Sequence, residues 1–134
     1  VNLRHVEAYL ENIHAMEELT RLNVNQALLR KNLIMNEDAG HAPIEAELTG
    51  LRVGDFRMVT FPGELTVEVG LQLKKAAPHP FSFVAGYTNG YLYYLPTETQ
   101  RRNPGYAQED CDCLVAPEWH RIFHARALQV LTDL

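Results

Sequence analysis

The sequence predicts an α/β fold in which helices flank a mixed β-sheet. Three observations indicate this class: a long opening segment with helical spacing, two strand-like stretches around a glycine turn, and a helix followed by an apolar strand. Elements in this order pack as helical layers against one sheet. The chain has 134 residues, 46% of them apolar and 22% charged, which is enough for a modest globular core.

The first element is a helix predicted over residues 3–35. Its apolar residues recur at intervals of three and four: Val6, Leu10, Ile13, Met16, Leu19 and Leu22. Residues 36–43, NEDAGHAP, have the composition of a loop. We therefore divide the chain into a helical N-terminal segment with its loop, residues 1–43, and an α/β part, residues 44–134.

The second part opens with a predicted pair of strands. Apolar and polar residues alternate in 44–54, and a second strand follows at 55–61 across a Gly-Asp pair typical of a hairpin turn. Helical spacing returns in residues 64–77. The apolar run FSFVAGY at 81–87 predicts a buried central strand.

The rest of the chain is less regular. Residues 88–97 contain a glycine turn flanked by tyrosines, and residues 98–117 form an irregular stretch of unusual length. Such loops are uncommon in compact domains unless they are functional or pack against another part. A last helix is predicted over residues 117–134, with a proline at its first position.

Charge and hydropathy exclude two classes of partner. The net charge is −5 and no cluster of Lys and Arg is present, so we expect no nucleic-acid partner. No apolar run approaches the roughly 18 residues that a bilayer span needs. The chain begins at Val1 with no visible signal-peptide pattern, so we expect a cut or processed start and leave the compartment open.

The two cysteines, Cys111 and Cys113, are too few for a disulfide framework. They could be reduced and structural, form a strained bridge, or contribute to a shared metal site. His120 and His124 lie four residues apart in the last predicted helix. Such a pair holds a metal when a third ligand approaches, and otherwise it belongs to a solvated helix face.

Glu64 follows a proline and a glycine at the end of a predicted strand, in FPGEL. Two interpretations stay open. A carboxylate at a helix start is stabilised by the helix dipole. The same position also suits a ligand or base that points into a cleft.

Tyr91, Tyr93 and Tyr94 follow the next predicted strand, after a Thr-Asn-Gly turn. Ligands collect beyond the carboxyl ends of strands in open sheets. If the two strands are parallel neighbours, Glu64 and Tyr91 should emerge at one edge. Alternatively, the tyrosines are there because they suit strands and half-buried turns.

Three motifs of the second part occur in order. They are Pro-Gly-Glu-Leu-Thr at 62–66, Gly-Tyr-Thr-Asn-Gly-Tyr-Leu-Tyr-Tyr at 86–94, and Gly-Tyr at 105–106. Together, over residues 44–116, they resemble the C-terminal part of the catalytic domain in the neutral/alkaline non-lysosomal ceramidase family.

The resemblance implies a zinc-dependent amidase that hydrolyses N-acylsphingosine or a related amide with zinc-activated water. Family members hold Zn²⁺ through two histidines, a glutamate and a tyrosine, and here Glu64 and Tyr91 match the last two. Tyr106 matches a tyrosine near the substrate and is the implied catalytic residue. Zinc accepts such oxygen ligands, and an open coordination position lowers the pKa of bound water to about 7.

Two departures mark a divergent member whose substrate need not be ceramide. The usual Tyr-Glu-Gly is Tyr-Ala-Gln at 106–108, and the usual Gly-Arg-Arg is Gly-Leu-Gln at 70–72. The family's histidine ligands lie in an N-terminal portion with no counterpart in this sequence. We therefore expect the zinc site to be completed from outside this chain.

The implied partners are an amide-containing lipid or small-molecule substrate and the remaining N-terminal part of the catalytic domain. The resemblance is also compatible with an exported protein. Two other hypotheses remain open: a catalytically inactive binding module that retains the fold, and a metal or redox element around Cys111, Cys113 and His120.

Overall fold

The computed structural model describes residues 2–40, 42–102 and 112–134. It divides the chain into two compact units, Val1–Ala42 and Pro43–Leu134. The first unit contains one long helix, and the second contains a small mixed sheet with the other helices. The predicted α/β class is confirmed.

Helix α1 spans Asn2–Ala39, so it continues past the predicted end at residue 35. Gly40 ends the helix with φ of 64°, and its N–H donates to the Glu37 carbonyl at 3.2 Å. Glycine takes this left-handed conformation without the Cβ clash that other residues meet. Within the described ranges, no helix combines the length and the apolar character that crossing a bilayer requires.

The second unit contains five short strands and three helices among its described residues. In chain order they are β1 (Gly50–Val53), β2 (Phe56–Thr60), β3 (Glu64–Leu65), α2 (Val67–Ala76), β4 (Ser82–Ala85), β5 (Tyr94–Leu95), α3 (Glu98–Arg101) and α4 (Trp119–Asp133).

The predicted hairpin is confirmed. Strands β1 and β2 pair antiparallel, and Gly54 turns the chain between them with φ of 60°. Residues 44–49, predicted to belong to the first strand, lie outside any strand. The alternation of apolar and polar residues here reflects alternating burial of a segment that forms no strand. Ala46 and Leu48 pack against the core, while Glu45 and Glu47 are exposed.

Strand β4 pairs parallel with β2, which gives the three-stranded order β1-β2-β4. The antiparallel and parallel pairs together make the sheet mixed. The predicted central position of β4 is wrong, because β2 is the middle strand and the Phe83 side chain on β4 remains 37% exposed. An apolar run shows that a strand is partly buried but cannot show how many strands flank it.

Helices α2 and α4 cover one side of the sheet. Helix α2 contacts β4 and α4, and α4 also contacts β2. The two helices begin at Val67 and Trp119, later than the predicted residues 64 and 117. The buried core consists of Val59, Phe61, Val69, Leu73, Leu95, Trp119, Phe123, Ala127 and Leu131.

Candidate functional site

Glu64 begins the short strand β3, four residues after β2 ends at Thr60. Helix α2 starts only at Val67, and the acidic residue of its first turn is Glu68. The interpretation of Glu64 as a helix-start carboxylate is therefore wrong. Its half-buried side chain instead lies at the carboxyl end of the parallel pair β2 and β4.

The backbone around Glu64 is hydrogen-bonded on both sides. The Tyr87 N–H donates to the Gly63 carbonyl at 3.0 Å, and the Glu64 N–H donates to the Tyr93 carbonyl at 2.9 Å. Strand β3 also pairs parallel with β5, where Glu64 lies beside Tyr94. These bonds hold Glu64 between the two tyrosine-bearing segments.

Glycines allow the backbone segments under Glu64 to approach each other. A Cβ on Gly86 would lie 3.0 Å from the Gly63 carbonyl oxygen, and one on Gly90 would lie 3.0 Å from the Pro62 side chain. Real Cβ atoms rarely tolerate such contacts, so larger residues would push the segments apart. The glycines of FPGEL and VAGYTNG thus bring the two segments together.

Side chains of both segments form one group, which we call the Glu64–tyrosine cluster: Glu64, Tyr87, Tyr91, Tyr93 and Tyr94. Hydrogen bonding and charge from the Glu64 carboxylate act on the Tyr87 hydroxyl and raise its pKa. The Tyr87 ring stacks on Tyr91 with centroids 5.5 Å apart and planes 10° apart, and the Tyr91 and Tyr93 ring centroids are 4.9 Å apart. Glu64 and Tyr91 are therefore both neighbours of Tyr87.

The carboxylate acts on the ionisation of Tyr87. The hydrogen bond to Glu64, together with desolvation and the negative charge of Glu64, raises the pKa of the Tyr87 hydroxyl well above its usual range. A tyrosine hydroxyl is protonated at neutral pH in any case, so Tyr87 can act as a donor toward Glu64.

The segment that carries the tyrosines has an unusual backbone. Tyr87, Asn89 and Tyr93 have φ of 54°, 64° and 56°. These angles lie in the left-handed region of the backbone, which residues other than glycine seldom adopt. Such conformations persist only where the surroundings enforce them, and they concentrate at binding and catalytic sites. The paired backbone around Glu64 supplies this enforcement.

The predicted residues have different outcomes. The condition that their strands are parallel neighbours is confirmed, and Glu64 and Tyr91 lie in one cluster. Tyr106 lies outside the described residues. Tyr87 was not predicted as a site residue. Nothing in FSFVAGY distinguishes a residue that continues the strand from one whose positive φ turns the chain away from it.

The cluster suits part of a zinc site. It offers a carboxylate and phenol oxygens, which are acceptable zinc donors. Among the residues that the structure describes, no three His, Cys, Asp or Glu side chains are arranged to hold a metal ion. The described residues of the cluster therefore offer one carboxylate and several phenol oxygens as possible metal donors.

The histidine pair lies on one side of α4, with ring centroids 6.1 Å apart. Both residues are half-buried rather than solvated, and the His120 Nε2 atom is buried without a hydrogen-bond partner among the described residues. Burial, followed by the nearby His124, lowers the pKa of His120, while Glu68 opposes this effect. The pair lacks a third metal ligand in the described part of the chain.

We expect His120 to make the protein less stable in acid. Because the folded state lowers its pKa, the stability contribution is present above the unfolded value near 6.5 and is lost as pH falls through the folded value. His120→Gln should therefore weaken the fall in urea midpoint between neutral pH and pH about 5. His124→Gln should weaken it less, because burial is the main cause. An unchanged pH profile in His120→Gln would contradict this assignment.

Cys113 is held by protein contacts. Its Sγ accepts a hydrogen bond from Arg101 at 2.9 Å, and the same guanidinium donates to the Val115 carbonyl at 3.1 Å. Cys111, the other member of the proposed metal or redox element, lies outside the described residues. Arg101 thereby links the Cys113 side chain to the backbone at Val115.

Comparisons with protein-family models, curated proteins and solved structures find no match to this chain. An α/β fold alone hosts many unrelated activities, so the residues of the site are what indicate a function.

Proposed function

We propose that this chain forms half of the active site of a zinc-dependent amide hydrolase, with Glu64 and Tyr91 as two of the metal ligands. The observation that supports the proposal is that both residues neighbour Tyr87, beyond the carboxyl ends of two parallel strands. Ligand sites form at this edge in open sheets. The resemblance to the ceramidase family assigns the same two residues to zinc.

Three residues of the cluster have a defined task in this proposal. Glu64 provides the charged ligand, and Tyr87 fixes the orientation of its carboxylate. Hydrogen bonds of this kind from neighbouring side chains to metal ligands strengthen binding. Tyr91 is half-exposed, so its hydroxyl can meet a ligand that approaches from outside the cluster.

Zinc, when bound, would supply a Lewis acid and an activated water for attack on the amide carbonyl. The two histidine ligands come from polypeptide outside this chain, as the resemblance implies. Tyr106 is proposed to contact the substrate, an amide-containing lipid or small molecule.

The test is the zinc content and N-acyl amide hydrolysis of the complete gene product. We expect one zinc per wild-type chain, and Glu64→Gln should lose both metal and activity because it removes the charged ligand. Glu68→Gln is the matched control, since it changes an exposed carboxylate four residues later on α2. Loss of a metal ligand, or of a group that hydrogen-bonds to one, commonly lowers metal affinity about 10–100-fold or more.

A complete protein without zinc would reject the proposal. So would a Glu64→Gln variant that keeps its metal and its activity. Equal losses in Glu68→Gln and Glu64→Gln would show that the effect is on folding rather than on the site.

The alternative is a binding module without catalysis. Tyr87 and Tyr91 stack while remaining 58% and 50% exposed, and exposed aromatic platforms bind ligands without a metal. The binding-module hypothesis predicts that an N-acyl amide binds equally well after zinc is removed. Tyr91→Ala would then abolish binding, and no hydrolysis would be detected.

A further inference from the structure

The second unit contains an apolar cavity of about 520 Å³. Its floor is formed by the core residues Phe61, Trp119 and Phe123, which are at most 7% exposed. Cavities that bind small molecules have volumes of about 300–1,000 Å³ and mainly apolar walls. This cavity falls within that range.

Large apolar side chains stand exposed at its mouth. Ile44 and Ile122 line the cavity with 52% and 55% of their surfaces accessible. A bound apolar chain would remove these surfaces from water, which favours the complex. The indole N–H of Trp119 already donates to the Pro96 carbonyl at 3.0 Å, so it leaves the wall apolar.

Two charged side chains line the cavity, Glu118 and Arg126. Glu118 is the N-cap residue of α4, where the positive end of the helix dipole compensates a carboxylate. Arg126 lies in the middle of α4, and no described carboxylate forms an ion pair with it. The cavity lining therefore contains a guanidinium that no described carboxylate pairs with, about two turns along α4 from Glu118.

We propose that this cavity binds an amphiphilic monoanion, with its apolar chain on Phe61, Trp119 and Phe123 and its anionic group on Arg126. A guanidinium pairs well with a carboxylate or a similar anion. None of the residues that form the Glu64–tyrosine cluster lines the cavity, so the proposal does not depend on the proposed zinc chemistry. Leu92 lines the cavity, while its neighbours Tyr91 and Tyr93 belong to the cluster.

The test uses the single tryptophan of the chain, because Trp119 lines the cavity. Dodecanoate is titrated below its micelle concentration while Trp119 emission is recorded. Dodecanol and dodecyltrimethylammonium carry the same chain with a neutral or a cationic group. We expect saturable binding of all three amphiphiles. Dodecanoate should bind about 2–5-fold more tightly than dodecanol, as an exposed ion pair would give, and the cation should bind most weakly.

Three variants locate the site. Arg126→Gln should remove the preference for dodecanoate and leave dodecanol binding unchanged. Arg121→Gln is the control, because it removes an exposed arginine of the same helix that does not line the cavity. Ile122→Asp places a carboxylate at the mouth of the cavity and should lower the affinity for dodecanoate more than Arg126→Gln does. Circular dichroism checks that the helix is retained.

Absence of an emission change with every amphiphile would overturn the proposal and indicate that polypeptide covers this surface. Equal affinity for dodecanoate and dodecanol would overturn the assignment of Arg126. Glu64→Gln should bind dodecanoate like the wild type. That result distinguishes this site from the proposed active site, whether or not the zinc measurements support the proposed function.

Discussion

Leu73→Ala should lower the free energy of unfolding of the second unit by about 2–5 kcal/mol. Leu73 is fully buried in α2, the helix that contacts both β4 and α4. Truncation removes apolar contacts and leaves a cavity that the packed surroundings fill only in part. Because small domains are stable by only about 5–15 kcal/mol, this is a large fraction of the total.

The matched control is Leu71→Ala, two residues earlier in the same helix. Leu71 is 60% exposed, so its truncation should change stability by no more than about 0.5 kcal/mol. Urea denaturation followed by circular dichroism measures both variants. Equal effects at the two positions would show that α2 does not pack as described.

Gly63→Ala should destabilise the protein by about 1–3 kcal/mol, because the site beneath Glu64 has no space for a methyl group. The new Cβ would collide with the Leu95 side chain and would lie 3.3 Å from the Tyr93 carbonyl oxygen. Leu95 is fully buried, so it cannot swing into solvent to relieve the contact. The pairing of Glu64 with β5 should loosen as a consequence.

Gly70→Ala is the control with the opposite sign. Gly70 lies inside α2, and an added Cβ meets nothing within 4 Å. Alanine is favoured over glycine in a helix by about 0.5–1 kcal/mol, so this variant should be more stable than the wild type. Urea midpoints of the two glycine variants should therefore move in opposite directions.

A double-mutant cycle identifies the cause of the Gly63→Ala effect. Leu95→Ala removes the atoms that the new methyl group meets, so the double variant should lose less stability than the two single variants together. Additive losses would mean that the contact with the Leu95 side chain is not the cause of the destabilisation.

Local patterns in the sequence predicted the elements that carry several turns or a complete hairpin. The Gly54 turn and the alternation beside it predicted β1 and β2 because turn chemistry acts over a few residues. The parallel arrangement that brings Glu64 and Tyr91 together was a stated condition, and the structure confirms it. The pairing of β3 with β5 was not predicted, because strands of two residues carry no periodicity.

The sequence alone determined the α/β class, the hairpin and the two segments that carry the polar site residues, since side-chain periodicity and glycine turns are local properties. Only the tertiary structure decided which strand is central, how Tyr87 reaches the Glu64 carboxylate, and where the cavity below Arg126 opens. These features depend on contacts between residues far apart in the chain. A positive φ at a tyrosine, for example, is imposed by its neighbours in space and has no signature in its neighbours in sequence.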